Sequence, residues 1–181
     1  QRMKTSDKLK ACVEGYDPPP FFFREEFQGN VRLVAWTSRL DHLKSAFYRI
    51  IESFPETVEV LFKVKIDSPD DADEWHRYYG RIAHGTLESG IRANELCVFQ
   101  DGGNQLCVRI PDTPEYIALD DHNILFVYSQ RPSFRQALVE SGLKEQANPL
   151  LFEKPHWHVM PKDSDIHRER FINAIGLNDE G

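Results

Sequence analysis

The alternation of apolar and polar positions is clearest over residues 57–67. Apolar side chains occupy every second position from Val58 to Ile66, and Glu59, Lys63 and Lys65 occupy three of the positions between them. Because successive side chains of a strand point to opposite faces of its sheet, this pattern predicts a half-buried β-strand.

A helix is predicted between that strand and an earlier one. The earlier strand, over Val31–Ser38, is apolar on both of its alternating faces, as a central strand would be. Apolar residues then recur at helical spacing from Leu40 to Phe54, while Ser38 and Asp41 have the spacing of a capping box and Pro55 ends the helix. The segment therefore predicts a β-α-β unit, which is right-handed where its two strands are parallel.

Two further helices are predicted on either side of this unit. Residues 5–15 form the first. The second begins at Ser68, which precedes a proline and two acids, the residues favoured at an N-cap, at the first helical position and in the first turn. Four residues at helical spacing then form its predicted buried face. They are Trp75, Tyr78, Tyr79 and Ile82.

Two β-hairpins are predicted in the middle of the chain, because turn-forming residues separate pairs of short apolar runs. The first turn contains Gly102-Gly103, which lacks the spacing of a phosphate-binding loop, and the second is Asp120–Asn123. The four predicted strands are Leu96–Phe99, Leu106–Ile110, Tyr116–Leu119 and Ile124–Tyr128.

The remaining elements complete a single domain. A helix is predicted from Pro132 to a C-cap at Gly142, an extended segment over Leu150–Met160, and a last helix over Asp165–Ile175. The chain of residues 1–181 is thus expected to form one α+β domain. Its sheet would be single, mixed and mainly antiparallel, with a β-α-β start, a β-meander in the middle and helices packed on the sheet.

Residues 1–29 are predicted to add an N-terminal helix and a Pro/Phe-rich arm to this domain. Three prolines before Phe21, Phe22 and Phe23 fix an extended segment. The favoured interpretation packs the rings on the body of the domain, because large apolar patches are rarely left in water. The alternative is that the three rings form a partner-binding surface, which would favour a homodimer over a monomer.

Composition limits the partners. The 181 residues carry a formal net charge of −7, and the chain shows no dense basic stretch, so nucleic acid is not an expected partner. An acidic surface instead favours a basic protein. The three cysteines have no paired spacing, and no long apolar run is present, which together predict a cytoplasmic protein without a membrane segment.

The best candidate for chemistry is His156-Trp157-His158. On a strand the two imidazoles project to the same side, roughly 6.5–7 Å apart, and imidazole is a common ligand of zinc. The alternative places both histidines on the solvent face of an edge strand, with Trp157 packed inward. A catalytic metal needs a third protein ligand. The candidates for it are Asp120, Asp121 and His122 in the second hairpin and His167 in the last helix.

The sequence alone favours a non-catalytic, soluble intracellular protein that binds or regulates another macromolecule through a surface patch. The acidic balance, the many aromatics and the lack of a coherent catalytic motif support this interpretation, under which no cofactor is predicted. The alternative is a zinc-type, metal-dependent hydrolase centred on His156 and His158, with His122 and Asp120 as further ligands.

Overall fold

One nine-stranded mixed sheet organises the chain, with a separate two-stranded ladder and five helices. These features come from a computed structural model, which describes residues 9–11, 19–66, 74–147 and 156–181. For residues 9–11 and 156–157 it describes the backbone alone. The architecture confirms the predicted α+β class with a mixed, mainly antiparallel sheet.

The elements have the following bounds. The strands are β1 (Leu9–Ala11), β2 (Phe21–Phe27), β3 (Asn30–Trp36), β4 (Thr57–Ile66), β5 (Glu74–Ala83), β6 (Asn104–Arg109), β7 (Tyr116–Leu119), β8 (Leu125–Tyr128), β9 (Lys144–Glu145), β10 (His156–His158) and β11 (Asn178–Asp179). The helices are α1 (Leu40–Glu52), α2 (His84–Ala93), α3 (Glu95–Gln100), α4 (Pro132–Glu140) and α5 (Ser164–Ile175).

The sheet has the strand order β11-β5-β4-β6-β7-β8-β3-β2-β9. All neighbours are antiparallel except β2 and β9, which are parallel. Because four antiparallel pairings separate β3 from β4, these two strands run in the same direction, and α1 connects them across β6, β7 and β8. The predicted β-α-β crossover therefore exists, with three strands between its two parallel members.

The helices all contribute to the core on one face of the sheet. Val58, Val60 and Phe62 of β4 are fully buried, and they belong to one apolar cluster with side chains from α1, α2, α3, α4 and α5. The ring of Phe62 contacts that of Phe171 edge-on, with 5.1 Å between centroids. The alternation of residues 57–67 thus correctly predicted which side of β4 is buried.

Phe21, Phe22 and Phe23 lie in β2 and are 0%, 0% and 5% exposed. Phe22 joins the main core, while its two neighbours point to the opposite face of the sheet and pack with Trp36. Their burial supports packing on the body of the domain. It corrects the interpretation of the three rings as a partner-binding surface, because buried rings are not available for contact.

The predicted second helix is wrong, because the described part of that segment is strand β5. Its ten residues pair with β4, so that Lys65 lies opposite Trp75 and Leu61 lies opposite Tyr79. Aromatic residues favour strands, and their spacing of three and four fits a helix only by coincidence. Residues 68–71, where the helix start was predicted, lie outside the described residues.

Three other local predictions also fail. Leu96–Phe99 lies in α3 rather than in a strand, so Gly102-Gly103 connects a helix to β6 and does not close a hairpin. Leu9–Ala11 is the strand β1, paired with β10, within the segment that was predicted as a helix over 5–15. The side chain of Ser38 does not cap α1, whose N-cap residue is Arg39.

The other predicted helices and the second hairpin are confirmed, whereas residues 150–155 of the extended segment predicted over Leu150–Met160 lie outside the described residues and β10 covers only His156–His158 of it. The second hairpin is β7 and β8, and α1, α4 and α5 lie where helices were predicted. Gly176 ends α5 in the left-handed conformation, with φ of 72°. None of the helices in the described ranges has the length and apolar character needed to cross a membrane.

A buried ion pair ties α5 to the start of β6. Nε of Arg168 in α5 lies 3.2 Å from Oδ2 of Asp101, and the Asp101 residue is fully buried. The same Nε donates to Oδ1 of Asn104 at 2.7 Å, and Oδ1 of Asp101 accepts the backbone N–H of Gly103 at 2.9 Å. The connection between α3 and β6 is therefore held by charge and hydrogen bonds that have been removed from water.

Replacing Arg168 by Met should destabilise the protein strongly. The substitution leaves the carboxylate of Asp101 buried without its counter-ion, which typically costs about 3–5 kcal/mol of unfolding free energy. Arg170→Met, at an exposed position of the same helix, should change it by no more than about 0.5 kcal/mol. Urea unfolding of both variants tests this, and equal effects would show that the buried pair is not a major restraint.

Candidate functional site

The turn between β7 and β8 forms one side of the candidate site. Oδ1 of Asp120 accepts hydrogen bonds from the backbone N–H groups of His122 and Ile124, both at 2.8 Å. Asn123 adopts φ of 58° and donates from Nδ2 to the carbonyl oxygen of Phe99 at 2.8 Å. Asp and Asn are favoured in turns because their side chains form hydrogen bonds with nearby backbone groups and because they tolerate a positive φ. These hydrogen bonds fix the backbone of the turn at His122, and therefore the position from which its side chain extends.

The strand β10 brings His158 to this turn. Its Nδ1 lies 3.1 Å from the backbone carbonyl oxygen of Asp121. The rings of His122 and His158 meet edge-on, with centroids 4.7 Å apart and planes inclined at 64°. Two imidazoles that are 36 positions apart in the sequence are therefore in direct contact.

The carboxylate of Asp121 lies against both histidines. Its Oδ1 is 3.5 Å from Nδ1 of His122, and its Oδ2 is 3.6 Å from Nδ1 of His158. Gln105 of β6 donates from Nε2 to Oδ1 at 2.8 Å. Because Asp121 is only 6% exposed, these side chains replace much of the water that a free carboxylate would bind.

In the metal-free protein, the side chains of His122 and Asp121 form an ion pair. Burial by itself would lower the pKa of His122, but hydrogen bonds and charge from Asp120 and Asp121 outweigh it and raise that pKa to about 10. Burial would raise the pKa of Asp121, yet hydrogen bonds from His122 and Gln105 and the charges of both histidines hold it well below its usual range. The pair is therefore imidazolium and carboxylate at neutral pH.

His158 has the opposite protonation preference. Burial lowers its pKa below the ordinary value of 6.5, and the charges of His122 and Lys65 lower it further, against the attraction of Asp121. A neutral imidazole has a free lone pair, which is the form that binds a metal. His158 is thus neutral at pH 7.

Three side chains of the cluster lie close enough together to hold a metal ion. Asp121, His122 and His158 each offer one ligand atom, and these atoms all lie within 4.8 Å of one another. Metal–ligand bonds of about 2.0–2.2 Å at tetrahedral angles separate ligand atoms by roughly 3.3–3.6 Å. The bound of 4.8 Å on this cluster exceeds that separation, so the three side chains would have to move closer together around an ion.

The structure brings together some of the predicted ligands and not others. His158 and His122 are in contact, as a shared metal site requires. Asp121 supplies the carboxylate that lies near both rings, while Oδ2 of Asp120 lies 3.1 Å from Nδ1 of His122. The side chain of His156 lies outside the described residues, and His167 on α5 is not part of the cluster.

Sequence reasoning missed Gln105. It is followed two positions later by Cys107, and the two residues share the face of β6 that lies away from the helices. Only the pairing of β6 with β7 shows that this face leads to the Asp120–Asn123 turn. No motif in the sequence marks that glutamine.

A broad open groove of about 1050 Å³ lies at the other end of β7 and β8. Tyr116 and Tyr128 stack in it with ring centroids 4.2 Å apart. Its charged groups already have partners, since Arg109 pairs with Glu59 at 3.5 Å and Glu115 pairs with an arginine at 2.8 Å. Its geometry indicates no chemistry, in contrast to the Asp121 cluster.

Comparisons of the chain with protein-family models, curated proteins and solved structures found no match. The geometry of the Asp121, His122 and His158 cluster is therefore the basis for the function proposed below.

The raised pKa of His122 gives a pH dependence with a definite sign. A folded pKa of about 10, above the ordinary 6.5, means that the stabilisation by His122 is complete below pH 6.5 and is lost as the pH rises toward 10. In metal-free protein, the unfolding free energy of wild type relative to His122→Gln should therefore fall across this window.

Urea unfolding at pH 6, 8 and 9.5 measures that difference, and NMR titration of the His122 imidazole locates its pKa directly. His167→Gln removes an imidazole away from the cluster and serves as the matched control. A His122 that titrates near 6.5 would contradict the ion pair with Asp120 and Asp121.

Proposed function

We propose that this protein is a metal-dependent hydrolase that holds one divalent ion, zinc or a similar ion, between Asp121, His122 and His158. The observation that supports this most directly is the convergence of three ligand atoms within 4.8 Å, two imidazole nitrogens and one carboxylate oxygen. Two histidines and one carboxylate are a donor set that binds catalytic zinc and related ions.

The proposed ligand set would leave one coordination position of the ion unfilled by protein. Three protein ligands occupy three of the four positions of a tetrahedral ion, and the fourth stays open for water or a substrate oxygen. The metal would supply a Lewis acid and lower the pKa of its bound water to about 7. The half-buried His122 and His158 lie at the accessible side of the more deeply buried Asp121.

Neighbouring side chains support the proposed ligands. Gln105 orients the carboxylate of Asp121 through its hydrogen bond at 2.8 Å. Asp120 accepts or shares a proton with Nδ1 of His122, the arrangement that commonly orients a ligating imidazole and raises its basicity. Binding of the metal would displace the proton that His122 carries in the metal-free protein.

The hydrolase is preferred over the non-catalytic binding protein that the sequence favoured. The surface proposed for binding, Phe21–Phe23, is buried. The Asp121 cluster instead has specific ligand geometry. The cytoplasmic location stays a prediction from the cysteine pattern.

Metal content is the direct test of the site. Chelator-free wild-type protein, dialysed against stoichiometric zinc, should retain about one ion per chain. Asp121→Asn and His158→Ala should each lose it, because two remaining ligands bind a divalent ion poorly. Elemental analysis gives the stoichiometry, and circular dichroism confirms that each variant is folded.

His167→Ala is the matched control, since it removes an imidazole outside the cluster. Equal zinc retention by His158→Ala and His167→Ala would refute the proposed site, as would a wild-type chain that retains no zinc. Hydrolysis of ester and phosphoester model substrates, compared between wild type and Asp121→Asn, then tests the reaction class.

The variant Gln105→Leu tests whether the hydrogen bond from Gln105 strengthens metal binding by Asp121. The leucine is close in size but cannot donate to Oδ1 of Asp121, and loss of such an outer hydrogen bond typically weakens metal binding about 10- to 100-fold. Competition with a chromophoric zinc chelator measures the affinity. Gln136→Leu, at an exposed position on α4, should leave it unchanged, and an equal affinity of the two variants would contradict the assigned role.

A further inference from the structure

The sheet has a second face on β4 and β5 that differs from its core face. The helices cover Val58, Val60 and Phe62, and the alternate positions of β4 point away from them. Pairing of β4 with β5 places the alternate residues of both strands side by side. This surface, called the β4–β5 face below, includes Lys63, Lys65, Trp75, Arg77 and Tyr79. Leu61 lies opposite Tyr79 on the same face, and Glu59 lies opposite Arg81 at its end.

Two cations lie directly opposite each other on this face. Lys63 is the cross-strand partner of Arg77. Like charges at directly opposed positions of a sheet are destabilising, so this pair works against folding unless an anion lies nearby. In the described part of the chain, no ion pair includes either residue, whereas Arg81 pairs with Asp112 and Arg109 pairs with Glu59.

Aromatic rings lie among these cations. The ring centroid of Trp75 is 5.9 Å from Nζ of Lys63 and 6.0 Å from Nζ of Lys65. Tyr79 is 37% exposed and shares the face of β5 with Trp75, roughly 13 Å away along the strand. Arg77 lies between the two rings. The face therefore alternates an aromatic ring, a cation and a second aromatic ring along one strand.

We propose that the β4–β5 face binds single-stranded nucleic acid. Phosphates would relieve the repulsion between Lys63 and Arg77, and Trp75 and Tyr79 would stack on unpaired bases. Cations that follow a backbone, combined with exposed rings that accept any base, are what sequence-tolerant binding of single strands requires. A duplex keeps its bases stacked inside, so the two rings would have no partner on it.

The net charge of −7 does not exclude this surface. The sequence made nucleic acid an unexpected partner because no basic stretch occurs along the chain. Cross-strand pairing, however, brings together Lys63 and Arg77, which are 14 positions apart in the sequence. The affinity should then be modest and fall steeply with salt, because the rest of the acidic molecule repels the same ligand.

Fluorescence anisotropy with a labelled 15-nucleotide oligo(dT) tests the proposal. It is measured from 25 to 150 mM salt in EDTA, so that the result does not depend on the metal site. We expect wild type to bind and the double variant Lys63→Gln/Arg77→Gln to bind at least 10-fold more weakly. Loss of two phosphate contacts should reduce the slope of log K against log salt by about 1.4.

A second variant separates stacking from charge. Trp75→Ala should weaken binding about 5- to 100-fold, as removal of one stacking ring does, with little change in the salt slope. The control is Lys162→Gln/Arg170→Gln, which removes the same charge at exposed positions near and on α5 and should bind like wild type. Thermal melts without ligand should show Lys63→Gln/Arg77→Gln at least as stable as wild type, because the repulsive pair is gone.

Several results would overturn the proposal. The wild-type protein could fail to bind the oligonucleotide at 25 mM salt, the two double variants could weaken binding equally, or Trp75→Ala could bind as tightly as wild type. Equal affinity for poly-glutamate or for vesicles rich in anionic lipid would do the same, because the face would then recognise negative charge alone. None of these outcomes bears on zinc retention, so failure of this surface leaves the metal site standing.

Discussion

The strict alternation of β4 is the constraint on which the rest of the structure depends. This strand pairs along its length with β5 on one side and with β6 on the other, so its two faces set the faces of both neighbours. The apolar positions of β4 face the five helices and build the core. The same register turns Gln105 toward Asp121 and places Lys63 opposite Arg77. A shift of one residue in this pairing would bury the lysines and expose Phe62, at a cost that fixes the register firmly.

The candidate site forms where this sheet meets a loop and a separate ladder. The β7–β8 turn holds Asp120, Asp121 and His122 through hydrogen bonds that any Asp-rich turn can make. The site acquires its chemistry only when β10 brings His158 against that turn. Local turn formation and long-range strand placement therefore act together to assemble the cluster.

The sequence predicted the elements whose pattern is strong and local. The alternation of β4, the helical spacing of α1 and the β7–β8 hairpin all appear in the structure. It misassigned β5 and α3, because a short run such as Leu96–Phe99 fits a strand and a helix equally well and tertiary contacts decide. For the candidate site, the sequence suggested His122 and His158 because imidazole is a common metal ligand, and the structure brings their two rings into contact. The sequence could not select Asp121 over Asp120 or find Gln105, because those depend on side-chain direction in a turn and on cross-strand register.

The cationic strand and the proposed metal site are electrostatically linked. Lys65 belongs to β4, and its charge helps burial to lower the pKa of His158. A neutral His158 needs no deprotonation before it can bind an ion, whereas His122 has to release the proton that Asp120 and Asp121 stabilise. Lys65 thus favours His158 in its neutral form, the form that would bind an ion.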